Sequence, residues 1–145
     1  MSSKPIVKIS KLTPTLKRME LVGKKILGKA RSFDQMSWPG VPYGEHPQQK
    51  MEMYELNDLC PRDGWPTVVL IHGGGWVEGS PDQFNLLAPL FVKHGIMACS
   101  IRYRLAPTHH WSKALEDVEL ALDFIASQQV DPNRIALWGE SAGGH

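Results

Sequence analysis

Cysteine is scarce in this chain of 145 residues, and long apolar runs are missing altogether. Only Cys60 and Cys99 are present, too few for a disulfide framework, and we expect both to be thiols, with Cys99 in the core. No run approaches the roughly 20 apolar residues of a membrane span, and the basic N-terminal stretch lacks the apolar segment of a signal peptide. These absences argue against a disulfide scaffold and an integral membrane protein, and they make a cytoplasmic protein the expectation.

Charge is nearly balanced overall but unevenly distributed. The formal net charge is +1, yet residues 1–33 carry nine Lys or Arg against one acid, and residues 34–145 carry seven against fourteen. The basic segment has apolar residues at helical spacing, so we predict a helical N-terminal or cap segment over 1–40 and a second unit over 41–145. Binding to an anionic membrane surface is the alternative role of such a helix. Nucleic-acid binding is not expected, because no aromatic residues interleave with these charges.

The rest of the chain alternates between strand and helix patterns. Apolar runs without a polar interruption are typical of strands buried on both faces, as in a parallel sheet covered by helices. We predict strands at 50–56, 67–71, 96–101 and 134–138, helices at 80–95 and 112–129, and a proline- and glycine-rich linker at 34–49. Strand–helix–strand–helix–strand is the order of a doubly wound α/β sheet.

Local patterns within the two predicted helices give finer expectations. The helix at 80–95 is predicted to begin with a capping box of Ser80 and Gln83 and to end before Gly95. In the helix at 112–129, the apolar face is expected to consist of Leu115, Val118, Leu122 and Ile125. Its acids, Glu116, Asp117 and Asp123, are expected on the solvated face or in structural roles. Arg102 and Arg104, near the end of a strand, are expected in structural ion pairs.

The segment GESAG, residues 139–143, has the pattern G-x-S-x-G directly after a predicted buried strand. We call it the serine turn. A serine nucleophile needs a tight turn from strand to helix, which projects its hydroxyl from the sheet and directs the amides of the new helix at the reacting carbonyl. Gly139 and Gly143 would let the backbone segments approach without a Cβ clash. Alone, the motif is modest support for a nucleophile, since glycine and serine are common residues.

A second motif, HGGGW at residues 72–76, follows the strand predicted at 67–71, and we call it the glycine loop. Three consecutive glycines offer unobstructed backbone N–H groups, which the binding of an oxyanion requires. A phosphate-binding loop would need a following Gly-Lys-Ser/Thr, and a dinucleotide fingerprint would need the spacing G-x-G-x-x-G. Neither occurs here. The glycine loop and the serine turn, separated by two strand–helix units, therefore predict an oxyanion hole paired with a serine nucleophile.

With these motifs the chain resembles α/β-hydrolases of the hormone-sensitive-lipase and acetyl-esterase type, including the kynurenine formamidase-like and feruloyl-esterase-like branches. The matching stretches are HGGGW, YRLAP (103–107), ALEDV (114–118), DPNRIALWGESAGG (131–144) and, more loosely, YGEHPQQKMEMYEL (43–56). The resemblance covers residues 43–145 and implies the N-terminal part of an α/β-hydrolase domain with a mostly parallel, doubly wound sheet. It implies hydrolysis of an ester or an amide through an acyl-serine intermediate, with no metal and no organic cofactor, and we take cleavage of small carboxylic esters as the leading hypothesis.

The resemblance also assigns roles to residues of this chain, with small-molecule esters or amides as the partners. Glutamate stands before the serine, where the family often has aspartate. By role, the implied residues are the nucleophile Ser141, the oxyanion donors Gly73, Gly74, Gly75 and Ala142, and the supporting residues His72, Gly139, Glu140 and Gly143.

In that family the acid and the histidine of the triad follow the serine in the chain. The resemblance therefore implies a chain truncated after the serine turn, without the acid and base of the triad. We expect His72 to orient backbone, and His109 and His110 to belong to a loop, rather than to take the serine proton. The alternatives to an esterase are an arylformamidase-type amide hydrolase and a catalytically inactive truncated product. A third alternative is the membrane-surface protein already named.

Overall fold

The structure is a computed structural model that describes residues 35–57 and 60–145. The helix predicted for the basic segment falls on residues 1–34 and lies outside the described residues. The strands are β1 (Gln35–Pro42), β2 (Lys50–Leu56), β3 (Trp65–Ile71), β4 (Met97–Ile101) and β5 (Val130–Gly139). The α-helices are α1 (Ala88–Lys93) and α2 (Ser112–Ala126), and short 3-10 helices span Pro81–Phe84 and Ser141–Gly144. Among these elements, no helix is long and apolar enough to cross a membrane.

The five described strands form one sheet in the order β1-β2-β4-β3-β5. β3 pairs in parallel with both β4 and β5, whereas β2 pairs antiparallel with β1 and β4. Of these five strands, only β2 therefore runs against the others. The prediction of a mostly parallel sheet is confirmed, and the strands predicted from apolar runs are all present.

The two faces of the sheet carry separate cores. Val68 and Leu70 of β3 pack on the side of α1, together with Phe91. Val69 and Ile71 alternate with them and pack on the side of α2. Successive side chains of a strand point to opposite faces, so an uninterrupted apolar strand needs a cover on each side. The sheet is therefore doubly wound, as predicted.

The predicted linker at 34–49 is wrong over its first half, because β1 occupies residues 35–42. Its register against β2 shifts between Trp38 and Val41, and Gly40 lies there with φ +68°. The proline and glycine that suggested a linker form an irregularity of the kind that edge strands tolerate. The boundary predicted between residues 40 and 41 falls inside this strand.

The helix predicted at 80–95 is interrupted. Residues Pro81–Phe84 form a 3-10 turn, and an α-helix begins only at Ala88. Pro89 has no N–H for the carbonyl of Asn85, so a continuous helix would lose a hydrogen bond at that point. Ser80 caps the first turn by accepting a hydrogen bond from the amide of Asp82. The helix ends as predicted, with Gly95 at φ +73°.

The buried face of α2 agrees only in part with the predicted one: Ile125 is buried and Val118 and Leu122 pack against the core, but Leu115 does not. The buried residues are Ala114, Asp117, Ala121 and Ile125, whereas Leu115 is 58% exposed. The most buried positions are small residues and one carboxylate, Asp117, which pairs with Arg104. Hydrophobic periodicity located the helix but misplaced part of its inner face.

The connections of the sheet bring the two motifs to one place. The chain passes from β3 through α1 to β4, and then through α2 to β5 on the other side of β3. Ligands of open α/β sheets bind at the carboxyl ends of strands where such a change of direction occurs. The glycine loop follows β3 and the serine turn follows β5, so both lie at that edge.

Candidate functional site

The serine turn is a tight turn that requires glycine at two of its five positions. Ser141 has φ +50°, a left-handed conformation that costs an L-residue about 1–2 kcal/mol. A Cβ on Gly139 would lie 2.0 Å from the carbonyl oxygen of Gly143, and a Cβ on Gly143 would lie 2.1 Å from that of Ile71. Both glycines are therefore required by close backbone contacts, within the turn and against the end of β3.

The side chain of Ser141 lies on the outside of this turn. Ser141 and Glu140 are both exposed, and no hydrogen bond of the described residues involves the Ser141 hydroxyl. The amide of Glu140 donates to the carbonyl oxygen of Ile71 at 3.1 Å, which fastens the turn to β3. The Ser141 side chain is therefore accessible, while the backbone of the turn is fixed to β3 by this hydrogen bond.

Carbonyl groups of the glycine loop are held by neighbouring donors. The Gly73 carbonyl oxygen accepts from Nδ1 of His72 at 2.8 Å. The Gly74 carbonyl oxygen accepts from the amides of Val77 and Glu78, both at 3.1 Å. The Gly73 carbonyl shares a peptide with the Gly74 amide, and the Gly74 carbonyl shares one with the Gly75 amide. Because the C=O and N–H of a peptide point in opposite directions, the amides of Gly74 and Gly75 point away from these donors. Within the described part of the chain, neither amide has a hydrogen-bond acceptor.

Gly73 is arranged differently from the two glycines that follow it. Its amide donates to Oε1 of Gln83 at 3.2 Å. A Cβ on Gly73 would lie 2.9 Å from the Glu140 carbonyl oxygen and 3.2 Å from the Cβ of Ser141. The structure thus brings the glycine loop into contact with the serine turn at Gly73. The amide of Ala142, like those of Gly74 and Gly75, has no acceptor among the described residues.

Glycines with positive φ angles shape this loop, and at Gly74 and Gly79 there is also no room for a side chain. Gly74 has φ +119°, and a Cβ there would lie 2.1 Å from the carbonyl oxygen of Glu78. Gly79 has φ +109°, and a Cβ there would lie 2.4 Å from Nδ1 of His72. Gly79 was not among the predicted site residues, although it follows the motif by three positions. Its role is to leave room for the imidazole.

His72 is fully buried, and its ring nitrogen Nδ1 hydrogen-bonds to the backbone. Its ring stacks on Tyr103 with centroids 4.1 Å apart, and the Tyr103 hydroxyl donates to the His72 carbonyl oxygen at 2.7 Å. Since a carbonyl oxygen only accepts, Nδ1 must carry the proton in its bond to Gly73. Nε2 is buried without a partner among the described residues. Burial lowers the pKa of His72, so the neutral ring is the favoured form.

The lowered pKa of His72 predicts that stability rises with pH near neutrality. The unfolded chain takes up the proton at about pH 6.5 and the folded chain only at lower pH. Between these values the unfolded state binds more protons, so the stability present above about pH 6.5 is lost as the pH falls. Urea unfolding between pH 5 and 8 should show a shallower slope for His72→Gln than for the wild type. His110→Gln, at an exposed histidine, is the control and should keep the wild-type slope; an unchanged slope in His72→Gln would contradict the assignment.

A buried ion pair supports the loop that follows β4. Asp117 accepts hydrogen bonds from the backbone amide of Arg104 at 2.8 Å, from its Nη2 at 2.6 Å and from Nε2 of Gln49 at 2.7 Å. Burial alone raises the pKa of Asp117, but the hydrogen bonds from Arg104 and Gln49 outweigh it and the pKa is lowered. The three residues come from three of the stretches that carry the resemblance, and the structural roles expected for Asp117 and Arg104 are confirmed.

This ion pair is connected to the glycine loop through the backbone. Ala106, two residues after Arg104, donates its amide to the Trp76 carbonyl oxygen at 2.8 Å. Trp76 has φ +63°, and its indole meets the ring of His145 at a centroid distance of 5.5 Å. The end of the glycine loop, at Trp76, is therefore hydrogen-bonded to the segment after β4 that Asp117 binds at Arg104.

The other histidines near the site have partners that are not Ser141. His109 packs edge-on against His46 at 5.0 Å, and Nδ1 of His110 lies 3.0 Å from the hydroxyl of Ser112. His145 contacts Trp76. In residues 35–57 and 60–145, no group of three or more His, Cys, Asp or Glu side chains is arranged as a metal site.

Comparisons with known proteins agree with this fold. A family model described as alpha/beta hydrolase fold matches residues 68–145. Esterase LipC of Mycobacterium tuberculosis is 36% identical over 112 residues, which are 72% of this chain and 27% of that protein. Carboxylesterase NlhH of the same species is 38% identical over 92 residues, which are 58% of this chain and 28% of that protein.

A solved structure shows the same fold. Esterase B from Lactobacillus rhamnosis, solved with a C4-C4 SN3 tributyrin phosphonate, has a TM-score of 0.66 at 24% identity, over 94% of this chain and 46% of its own. The chain thus spans about a quarter of the length of the two curated relatives and just under half of the solved structure. With its doubly wound sheet, and with more than half of its residues matched by the family model, the chain belongs to the α/β-hydrolase family.

Proposed function

We propose that this chain carries the nucleophile and the oxyanion-binding groups of a serine hydrolase that cleaves small carboxylic esters. The observation that supports this most strongly is a set of backbone amides near an exposed serine that have no acceptor in the part of the chain that the structure describes. Gly74 and Gly75 contribute two such amides and Ala142 a third, while Gly73 joins the glycine loop to the serine turn. Preorganised amides of this kind stabilise a developing oxyanion, and removing one typically costs about 2.7–4 kcal/mol of transition-state stabilisation.

The proposed reaction has two steps. The oxygen of Ser141 attacks the ester carbonyl, its proton passes to a general base, and the carbonyl oxygen takes the negative charge. Breaking the bond to the alcohol oxygen, which accepts a proton, leaves an acyl group on Ser141. Water then adds to the acyl carbon and releases the carboxylic acid, which restores the serine. The mechanism uses no metal and no organic cofactor.

We assign the oxyanion contacts to Gly74, Gly75 and Ala142 in preference to Gly73. The Gly73 amide already donates to Gln83, whereas the other three have no acceptor in the described residues. Gly73 instead contributes its missing side chain, since a Cβ there would lie 3.2 Å from the Cβ of Ser141. The general base is proposed to be the triad histidine of the family pattern, which comes after both the serine and the triad acid in the chain and is therefore not His145.

The substrate proposed is a small-molecule ester, because the relatives are named as esterases, and amides are the alternative to be tested.

The cellular compartment proposed is the cytoplasm. Cys60 and Cys99 are free thiols, and unpaired cysteines suit a reducing compartment. Burial raises the pKa of Cys99 to about 12, so this thiol is inert at neutral pH.

The substrate class can be tested by the release of 4-nitrophenolate from 4-nitrophenyl butyrate, compared with deformylation of N-formylkynurenine. We expect ester cleavage that depends on Ser141 and that added imidazole accelerates by acting as a base. Ser141→Ala should reduce the rate to that of buffer, and Ser127→Ala, at an exposed serine, should not. Cleavage of the formamide in preference to the ester would replace the esterase proposal by the arylformamidase one. Equal rates for the wild type and Ser141→Ala would contradict both.

A further inference from the structure

The peptide unit between His72 and Gly73 is held at both ends by side chains. At one end the Tyr103 hydroxyl donates to the His72 carbonyl oxygen at 2.7 Å. At the other, the Gly73 amide donates to Oε1 of Gln83 at 3.2 Å. Tyr103 is buried, whereas Gln83 is exposed and lies in the 3-10 turn that follows the glycine loop.

This contact is not the one that the sequence predicts for Gln83. In a capping box the glutamine would accept from the amide of Ser80, three residues earlier. Here its carbonyl oxygen reaches Gly73 instead, ten residues earlier, while Ser80 caps through its own hydroxyl. A residue that only stabilised the start of the helix would not need this longer contact.

The backbone around Gly73 has little intrinsic preference of its own. Three consecutive glycines can adopt many combinations of angles, so the orientation of each peptide depends on what binds it. The next two peptides are held through their carbonyl oxygens, by His72 and by Val77 with Glu78, and their amides have no acceptor among residues 35–57 and 60–145. In the peptide before them, between His72 and Gly73, the amide is instead hydrogen-bonded, to Gln83.

We propose that Gln83 is a positioning residue that selects which amides of the glycine loop receive the substrate oxygen. Gln83 holds the Gly73 amide, and Tyr103 holds the carbonyl oxygen of the same peptide. With this peptide fixed, the two peptides that follow are oriented so that the amides of Gly74 and Gly75 face the substrate oxygen. Gln83 itself contacts no substrate. This inference rests on the proposed serine hydrolase function, because it concerns the groups that would stabilise the oxyanion.

The test compares Gln83→Met, which keeps the length of the side chain but has no amide acceptor, with Gln83→Glu, which keeps an oxygen at that position. Labelling of Ser141 by a fluorophosphonate is followed over a range of probe concentrations, and amide exchange of Gly73 is followed by NMR. We expect Gln83→Met to lower the maximal labelling rate about tenfold with little change in the half-saturating concentration. Exchange at Gly73 should become faster, and Gln83→Glu should restore most of both values.

Several outcomes would overturn the inference. If the wild type is labelled and Gln83→Met is labelled at the same maximal rate, Gln83 does not position the loop. If the rate falls only in parallel with the melting temperature and Gln83→Glu does not restore it, Gln83 has a structural role alone. If the wild type is not labelled at all, the proposed function fails, and exchange at Gly73 still decides whether Gln83 holds this amide: faster exchange in Gln83→Met supports the contact, and unchanged exchange overturns it.

Discussion

The Gly143→Ala variant is expected to lose the serine turn, whereas Gly144→Ala is expected to keep it. A Cβ at position 143 would lie 2.1 Å from the carbonyl oxygen of Ile71. That backbone cannot yield easily, because β3 is paired on both sides by β4 and β5. At position 144 the nearest atom to a Cβ is the carbonyl oxygen of Gly139, at 3.1 Å. The two substitutions change chain entropy alike, so the comparison isolates the steric clash.

Gly143→Ala should lower the free energy of unfolding by about 3 kcal/mol, the upper end of the usual cost of overpacking. It should also slow the labelling of Ser141 about 100-fold, as expected when a reacting group moves by about 1 Å. Gly144→Ala should change the free energy of unfolding by no more than about 0.5 kcal/mol. Urea unfolding and probe labelling measure the two effects. Similar results for the two variants would mean that packing against β3 does not fix the serine.

Asp117→Ala is expected to be the most destabilising single change in α2. The carboxylate is fully buried and accepts hydrogen bonds from the side chain and backbone of Arg104 and from Gln49. Removing one partner of a buried ion pair leaves the other charge uncompensated, at a typical cost of about 3–5 kcal/mol. Glu116→Ala, at the adjacent exposed acid that pairs with Lys113 at 2.7 Å and lies 3.8 Å from Nη2 of Arg104, should cost no more than about 1 kcal/mol. Urea unfolding of both variants at pH 7 gives the comparison.

The pH dependence separates the two acids further. The hydrogen bonds to Asp117 lower its pKa below that of the unfolded chain, about 3.9. The stabilisation by Asp117 is therefore complete above that pH and is lost as the pH falls through the lowered folded value. Wild type and Glu116→Ala should both lose stability on acidification, while Asp117→Ala should lose less. A loss as steep in Asp117→Ala as in the wild type would contradict the assignment.

The strands of this sheet could be predicted because each is a local pattern. β3 and β4 are mostly apolar since both of their faces are covered, and consecutive apolar residues in the sequence are the local sign of that burial. β1 was missed because its proline and glycine are tolerated only by virtue of its place at the edge of the sheet. The position of a strand in a sheet is a tertiary property, which a local pattern does not contain.

In the candidate site too, the local motifs could be predicted from the sequence and the tertiary contacts could not. The glycine loop and the serine turn are recognisable in combination, because each follows a predicted strand and two strand–helix units separate them, although glycine and serine are common residues. The parts that the sequence left out are contacts between distant residues: Gln83 with Gly73, Gly79 with His72, and Asp117 with Arg104. Asp117 was assigned to a solvated or structural position on the helix, because the guanidinium that offsets its burial lies thirteen residues earlier in the chain.

The central claim is that Ser141 is a nucleophile near backbone amides that have no acceptor within the described residues. It is tested most directly by the reaction of Ser141 with a fluorophosphonate. The chain is incubated with the probe, its intact mass is measured, and the modified peptide is mapped, alongside Ser141→Ala and the exposed-serine control Ser127→Ala. The account predicts a single adduct on Ser141, formed with loss of fluoride, that is absent from Ser141→Ala and retained in Ser127→Ala. A folded wild-type chain without an adduct, or an adduct that persists in Ser141→Ala, would contradict it.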